Sequence, residues 1–440
     1  MLYCHSFFAF FLAGVAGVSV AESAGIIDPF SDQSSDNLPV PSAIEWNFRN
    51  ELHGYYQSDV IRNDGLFDVG SIAFDESYQQ IALDSGWQVS SEGQWSSVGR
   101  FALIQNTTET DDHVTSTTNT RLLLEGYLQW GSESGSWGGQ LGRIKPQWSN
   151  GYNWTPANLL KPSYDQVSLD DDNLTQQRGW DMGVLEWRTG QWNVSSYAAL
   201  YDRDDDNHLV SEASDPNRQY AVSINREGDV DTRLVVHHLE EESTNYAFGM
   251  STLLNDAVSV RIEGAWQEQR ELSLASNLNY IGDDQSGFGR YVLGSQLSLD
   301  NGWDVTIEYL YNEHGYSDSE WQAVEEEVSV AKANLQTQLA SDAYTFLADS
   351  YDQLAVGPLR KQYLYVSLAN TRSSYWMHYR QSFQMNLDDD SVYHNLELIQ
   401  NWSEHVSTRL KSQIFTGCES CEYGLLPSEQ QIRFSLYYHF

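Results

Sequence analysis

Basic residues are scarce in this 440-residue chain, with Lys+Arg 24 against Asp+Glu 62 and a net charge of -38. Such a chain repels polyphosphates, which argues against nucleic acid as a partner. No internal run approaches the roughly 20 apolar residues that a spanning helix needs, and the mean hydropathy is -0.49. Strands escape that test, because half of each strand in a transmembrane barrel faces water. Cysteine is nearly missing, at 3, and beyond the N-terminal region only Cys418 and Cys421 remain, in one C-x-x-C. A local disulfide in an oxidising compartment is the simplest reading, since a lone C-x-x-C lacks the second ligand pair of a zinc site. Gly-x-Ser-x-Gly and the His-Glu-x-x-His zinc helix are absent. The series Asp202, Asp204, Asp206 opens like a calcium loop but has Asn207 and Ala213 where Gly and Glu are required. No enzyme, metal or cofactor is expected.

What the chain has in abundance is aromatic residues, Trp 15, Tyr 26 and Phe 16, arranged with period two. Residues 1–21 read as a signal peptide, an apolar run from Phe7 to Val20 with cleavage after Ala21. Residues 22–42, rich in Ser, Asp, Asn and Pro, read as a flexible leader, and 43–440 as one β domain. Ile44, Trp46, Phe48, Leu52 and Tyr56 alternate with Glu45, Asn47, Arg49, Glu51 and His53, which places two chemistries on the two faces of a strand. The same alternation recurs through the chain and predicts about eighteen strands of roughly ten residues, the length that crosses a bilayer at a tilt. Connections after even-numbered strands are short, as at Thr189-Gly190 and Asp300-Asn301-Gly302, while those after odd-numbered strands are mostly long. A Greek-key sandwich or a β-helix has no reason to keep this parity. The reading that remains beside the barrel is a secreted soluble all-β carbohydrate-binding or lyase-type protein.

The last ten residues, Gln431 to Phe440, put Ile432, Phe434, Leu436, Tyr438 and Phe440 on one face and Arg433, Ser435, Tyr437 and His439 on the other. This end resembles the C-terminal strand of bacterial outer-membrane β-barrels, whose terminal aromatic residue is read by the barrel assembly machinery. The resemblance implies an all-β, transmembrane, antiparallel up-and-down barrel in a Gram-negative outer membrane. Its partners would be lipid, lipopolysaccharide, the assembly machinery and a hydrophilic solute.

In such a barrel the polar face lines the lumen. It collects Arg49, Arg121, Arg261, Arg290, Arg380, Arg409, Lys411 and Arg433, with His53 and His378, alongside Glu45, Glu51, Glu125, Glu263, Asp304, Glu308 and Glu397. These cations either brace the wall by ion pairing or set a field that favours anions. The connection from Gly142 to Pro162 carries Arg143, Lys145, Trp148, Tyr152 and Trp154 among amides, a composition suited to sugar contact or to an interfacial girdle. Its run Gly-Arg-x-x-x-x-Trp-x-x-Gly-x-x-Trp-x-Pro-x-Asn-Leu-Leu resembles a stretch of the alginate-export family of outer-membrane porins. That family implies eighteen strands and an arginine-rich lumen for a polyanionic polysaccharide; the mixed charge here departs from it. Within the insertion from His314 to Gly357, Ser317-Asp318-Ser319-Glu320 fits a capping box and Trp321 to Leu347 has helical spacing, so a helical outer loop is expected. The reading as a whole is an outer-membrane channel for hydrophilic solutes, either a diffusion porin or a polysaccharide exporter.

Overall fold

The computed structural model describes residues 44–61, 75–91, 95–110, 115–160 except 133, 147 and 150, 179–200, 218–239, 243–268, 270, 287–335, 343, 347, 358–370, 376–424 and 428–440. The signal peptide and leader expected at 1–42 lie outside the described residues, as do the acidic runs at 170–172 and 202–206. Eighteen antiparallel strands form one closed sheet. In chain order they are β1 (Ile44–Ile61), β2 (Asp75–Ser91), β3 (Trp95–Thr110), β4 (Thr115–Gly131), β5 (Trp137–Ile144), β6 (Trp180–Thr189), β7 (Trp192–Leu200), β8 (Gln219–Arg226) and β9 (Val230–Leu239). The second half comprises β10 (Thr244–Asn255), β11 (Val258–Gln267), β12 (Phe288–Ser298), β13 (Trp303–Asn312), β14 (Gln362–Asn370), β15 (Met377–Asn386), β16 (Val392–Asn401), β17 (Val406–Thr416) and β18 (Ser428–His439). Each strand pairs with its chain neighbours, and β1 pairs with β18 from Glu51↔His439 to Ile61↔Ser428, which closes the barrel. Closure leaves no sheet edge to satisfy, the condition for crossing hydrocarbon with strands.

The faces follow from the alternation. On β18, Ile432 and Phe434 are exposed while Arg433 and Ser435 are buried inward. Outward positions elsewhere carry Leu185, Leu234, Ile262, Leu293 and Ile307, all exposed. This face suits lipid and rules out the secreted soluble alternative, for which so continuous an apolar surface would drive aggregation. Exposed Trp95, Trp130, Trp137, Trp187, Trp192, Trp376 and Trp402 gather at the end with short turns, whereas Tyr220, Tyr246, Trp266 and Tyr291 lie toward the other end. Two aromatic girdles of this kind sit where hydrocarbon meets water.

β4 breaks the expected pattern. Arg100 pairs with Glu125 but Phe101 pairs with Leu123, so Leu124 is an extra residue, a β-bulge. Below it Leu128 and Trp130 face outward; above it Leu122 and Leu124 turn inward to pack with Ala82, Ala102 and Ile104. Arg121 therefore sits opposite the exposed Leu103 on the outer face and does not line the lumen. The sequence reading carried one parity through the whole strand, and the bulge reverses it.

The expected helical insertion begins as helix α1 (Asp318–Asn334), capped by Ser317, whose side chain accepts from the Glu320 amide while Glu320 accepts from the Ser317 amide. Trp321, Val324, Val328 and Ala331 form its buried face. Arg270 bridges to Glu320 at 2.6 Å, Arg360 to Asp318 at 2.5 Å, and Trp321 Nε1 donates to the Ser420 carbonyl at 2.8 Å. These bonds fasten the helix to the loops around the mouth. No helix among the described residues is long and apolar enough to cross a membrane.

Leu293, 60% exposed at the middle of β12, tests the outward assignment. Leu293→Arg is expected to cost about 2 to 4 kcal/mol in urea unfolding from liposomes, whereas the same substitution at Gln296, which faces inward opposite the buried Thr306, should be far milder.

Candidate functional site

The connection after β5 turns into the barrel. Ile144, Trp148, Ala157 and Leu160 pack on a row of small inward residues contributed by successive strands: Ala199, Ala221, Val235, Ala247 and Ala265. Methyl-sized side chains leave room against the wall for an indole, and Trp148 takes it, edge-on to Tyr197 at 4.9 Å. A second seat, lined by Val292, Leu310, Tyr363 and Tyr365, holds Trp154, which is fully buried.

Between the two seats the loop tip is bound by one carboxylate. Glu308 on β13 is 0% exposed and accepts from the backbone amides of Tyr152 at 3.0 Å, Asn153 at 2.8 Å and Trp154 at 3.4 Å. Its countercharge is Arg261 on β11, at 2.6 Å, whose guanidinium also lies 3.6 Å from the centre of the Tyr152 ring. Further along, Ser149 Oγ donates to Glu263 at 2.6 Å, and Asn153 Nδ2 donates to Gln384 on β15 at 2.9 Å. A buried charge is tolerated only when paired and hydrogen-bonded, and here its partners are the loop itself. The lumen is thus narrowed by a segment tied to the wall from β7 to β15.

Sequence reasoning placed Arg143, Lys145, Trp148, Tyr152 and Trp154 on the exterior as one sugar-contact loop; the structure divides them. By register Arg143 falls on the outer face opposite Gly126, paired with Asp181 at 2.7 Å. Trp148 and Trp154 have their ring faces packed away, so neither offers a stacking surface to the outside. Lys145 and Trp148 line a cavity of about 540 Å³ between the loop and the wall, and Tyr152 stays half exposed at the tip.

The predicted lumen cations other than Arg121 do face inward, mostly against carboxylates or amides. Arg409 and Arg380 both reach Glu397, with Lys411 its neighbour across the ladder. Arg433 donates to Gln57 and lies over Tyr55, and Arg290 donates to Asn312 at 3.2 Å. Arg49 contacts Glu51, and His53 approaches Gln80 at 3.4 Å. Bracing therefore describes the wall better than a one-sign field. Sequence reading missed Arg100, bonded to Asp84 at 2.9 Å, and Arg188 and Arg233 in the cavity. It also missed the inward alanines, although Ala recurring on a face expected to be polar was a signal in plain view.

The last outer connection enters the mouth as a 3-10 turn, Glu422–Gly424. The Sγ atoms of Cys418 and Cys421 are bonded just before it. Glu422 is buried and accepts from Tyr363 Oη at 2.5 Å, Asn386 Nδ2 at 2.7 Å and the Leu359 amide at 3.2 Å. Burial pushes its carboxyl up to about 8, and the Asp389 carboxylate adds to the rise, against the opposing pull of the Tyr363 hydroxyl, the Leu359 amide and Arg360. Tyr423, on the same turn, is a further titratable group at its side, with Tyr363, Asp389 and Arg360.

No family model and no curated protein matches the chain. Solved structures do, and the likeness is one of fold. OpdL of Pseudomonas aeruginosa superposes with a TM-score of 0.51 at 11% identity, covering 90% of this chain and 99% of that one. OccK11 (OpdR) gives 0.51 at 8%, covering 90% and 96%, and OccK7 (OpdD) gives 0.50 at 9%, covering 90% and 99%, both from the same organism. Identities this low establish likeness of fold alone.

Two outcomes follow. Glu308→Ala strands Arg261 and three loop amides, and should lower unfolding stability by about 3 to 5 kcal/mol while raising single-channel conductance as the tip detaches. Docking of the Glu422 turn takes up a proton, because its carboxyl ionises near 4.5 when free and near 8 when docked. Docking is then strongest at acid pH and weakens as pH rises from about 4.5 to about 8. Hydrogen exchange of the Glu422–Gly424 amides should accelerate across that window, beyond the intrinsic rate, and Glu422→Gln should abolish the dependence.

Proposed function

We propose that this chain is an outer-membrane channel through which small hydrophilic solutes diffuse. The observation that carries the reading is a closed eighteen-stranded barrel, apolar outside, whose polar interior is narrowed by a loop seated on its own wall. Supporting it is β18, which closes the sheet on β1 with Ile432 and Phe434 outward and Arg433 and Ser435 inward, together with an apolar run from Phe7 to Val20 of signal-peptide composition. Lipid and lipopolysaccharide are the partners of the outer face.

The solute class is assigned from the cavity beneath the loop. Its charges balance, with Lys145, Arg188, Arg226 and Arg233 against Glu186, Glu227, Asp231 and Glu263. Gln140, Asn193 and Asn225 supply amides, Trp148 and Tyr197 supply ring edges, and Asn193 Oδ1 is buried without a hydrogen-bond partner among the described residues. A charge-balanced, amide-rich, partly aromatic lining suits a neutral hydroxyl-rich molecule such as a small saccharide better than a polyanion. Diffusion is accordingly favoured over export of a charged polysaccharide.

Proteoliposomes should swell in mono- and disaccharides faster than protein-free vesicles; equal rates would end the channel reading. Reversal potentials in a salt gradient should show weak ion selectivity. Strong anion selectivity that disappears when Arg380 and Arg409 are neutralised would instead restore the anion reading. Asn193→Ala should weaken block of the ionic current by saccharide while leaving the open conductance nearly unchanged.

A further inference from the structure

Two loops that are far apart in sequence meet at one side-chain amide. Gln384, on the inner face of β15, accepts from Asn153 Nδ2 of the constriction loop at 2.9 Å and donates from its own Nε2 to Tyr423 Oη at 2.5 Å. A second connection runs beside it: Tyr363 donates to Glu422 at 2.5 Å, and its ring lies 6.2 Å from that of Trp154. Both residues at the far end, Glu422 and Tyr423, belong to the single 3-10 turn that follows Cys421. Trp321 of α1 donates to the Ser420 carbonyl, between the two cysteines just before that turn.

The shape of the turn depends on its staple. Cys421 N donates to the Cys418 carbonyl at 3.0 Å, and Gly424 N to the Cys421 carbonyl at 2.9 Å. A Cβ at Gly424 would stand 1.7 Å from the Cys418 carbonyl oxygen, so the chain folds back on itself with no tolerance. Cys418 is exposed while Cys421, Glu422 and Tyr423 are buried. The bond is therefore open to solvent on one side and holds the buried pair on the other.

We propose that the Cys418–Cys421 disulfide is a redox-sensitive latch: the intact bond holds the Glu422–Tyr423 turn, which through Gln384 and Tyr363 holds the constriction loop against the wall. A dithiol reductant opens it. Two electrons and two protons pass to the protein, the S–S bond becomes the thiols of Cys418 and Cys421, and the reductant closes to its own cyclic disulfide. Without the staple the turn gains backbone freedom, Tyr423 and Glu422 leave Gln384 and Tyr363, and the loop tip, still on the Glu308 cradle, loses the support behind its Gln384 and Tyr363 contacts. The pore widens and fluctuates.

The proposal rests on the channel reading for its consequence, so the test has a readout independent of current. Protein in lipid nanodiscs is compared before and after dithiothreitol, with the two thiols counted by alkylation. Exchange of the Tyr152–Trp154 amides is expected to accelerate at least about fivefold on reduction, with higher and noisier single-channel current. A Cys418→Ser, Cys421→Ser double variant should show fast exchange with no reductant added. Gln384→Leu should speed the same amides with the disulfide intact. Full reduction without faster exchange overturns the latch, and slow exchange in Gln384→Leu overturns the route through β15. If exchange responds but no form carries current, the channel reading fails and the latch stands; a steady current with unresponsive exchange does the reverse.

Discussion

A single carboxylate holds the interior of this barrel in its observed arrangement. A carboxylate as fully buried as Glu308 is costly unless its charge is paired and its oxygens are hydrogen-bonded. Arg261 supplies the opposite charge and three consecutive loop amides supply the rest. The requirement runs in both directions, because the amides of a tight loop tip inside a lumen need an acceptor as much as the carboxylate needs donors. Placing the tip at β13 then brings Trp154 to its seat beside Tyr363 and Trp148 to the row of small residues, with Glu263 and Gln384 adding polar contacts on either side.

The outer layer answers to a different constraint, the absence of hydrogen-bonding solvent. The strands satisfy their backbone groups by ladder pairing with both neighbours around the closed sheet. With the backbone provided for, the outward side chains are free to be mostly apolar in the middle and aromatic at the rims. Inside, water and fixed ion pairs coexist, and the net acidity of the chain is not mirrored in the lumen, where Glu397, Asp84, Glu186 and Glu308 each face an arginine.

Much of this was legible in the residues. Period two, with turn chemistry at Thr189-Gly190 and Asn301-Gly302, yielded the strand number and the alternation of short and long connections, and Ser317 with Glu320 marked the start of α1. These signals are local, so a single chain displays them. What was hidden depends on register or on distant partners. Leu124 adds one residue to β4 and moves Arg121 to the other face, and nothing in the segment distinguishes a bulge from an ordinary apolar position. The inward course of the loop after β5 was hidden for the same reason, since Trp148 and Trp154 suit a membrane girdle as well as they suit seats formed by small and aromatic residues on other strands. Arg143 was misplaced because its face is decided by pairing with β4 and β6.

The alanine row has a further meaning for how such a channel can vary. Ala199, Ala221, Ala247 and Ala265 are invisible as chemistry yet act as a mould, and the loop is its casting. Enlarging one of them would evict an indole, and enlarging the loop would find no space, so bore and wall can change only in concert. Diversification of the passage is then a problem of coordinated substitution between a loop and several strands, while the lipid-facing side of the same strands drifts without consequence for the bore.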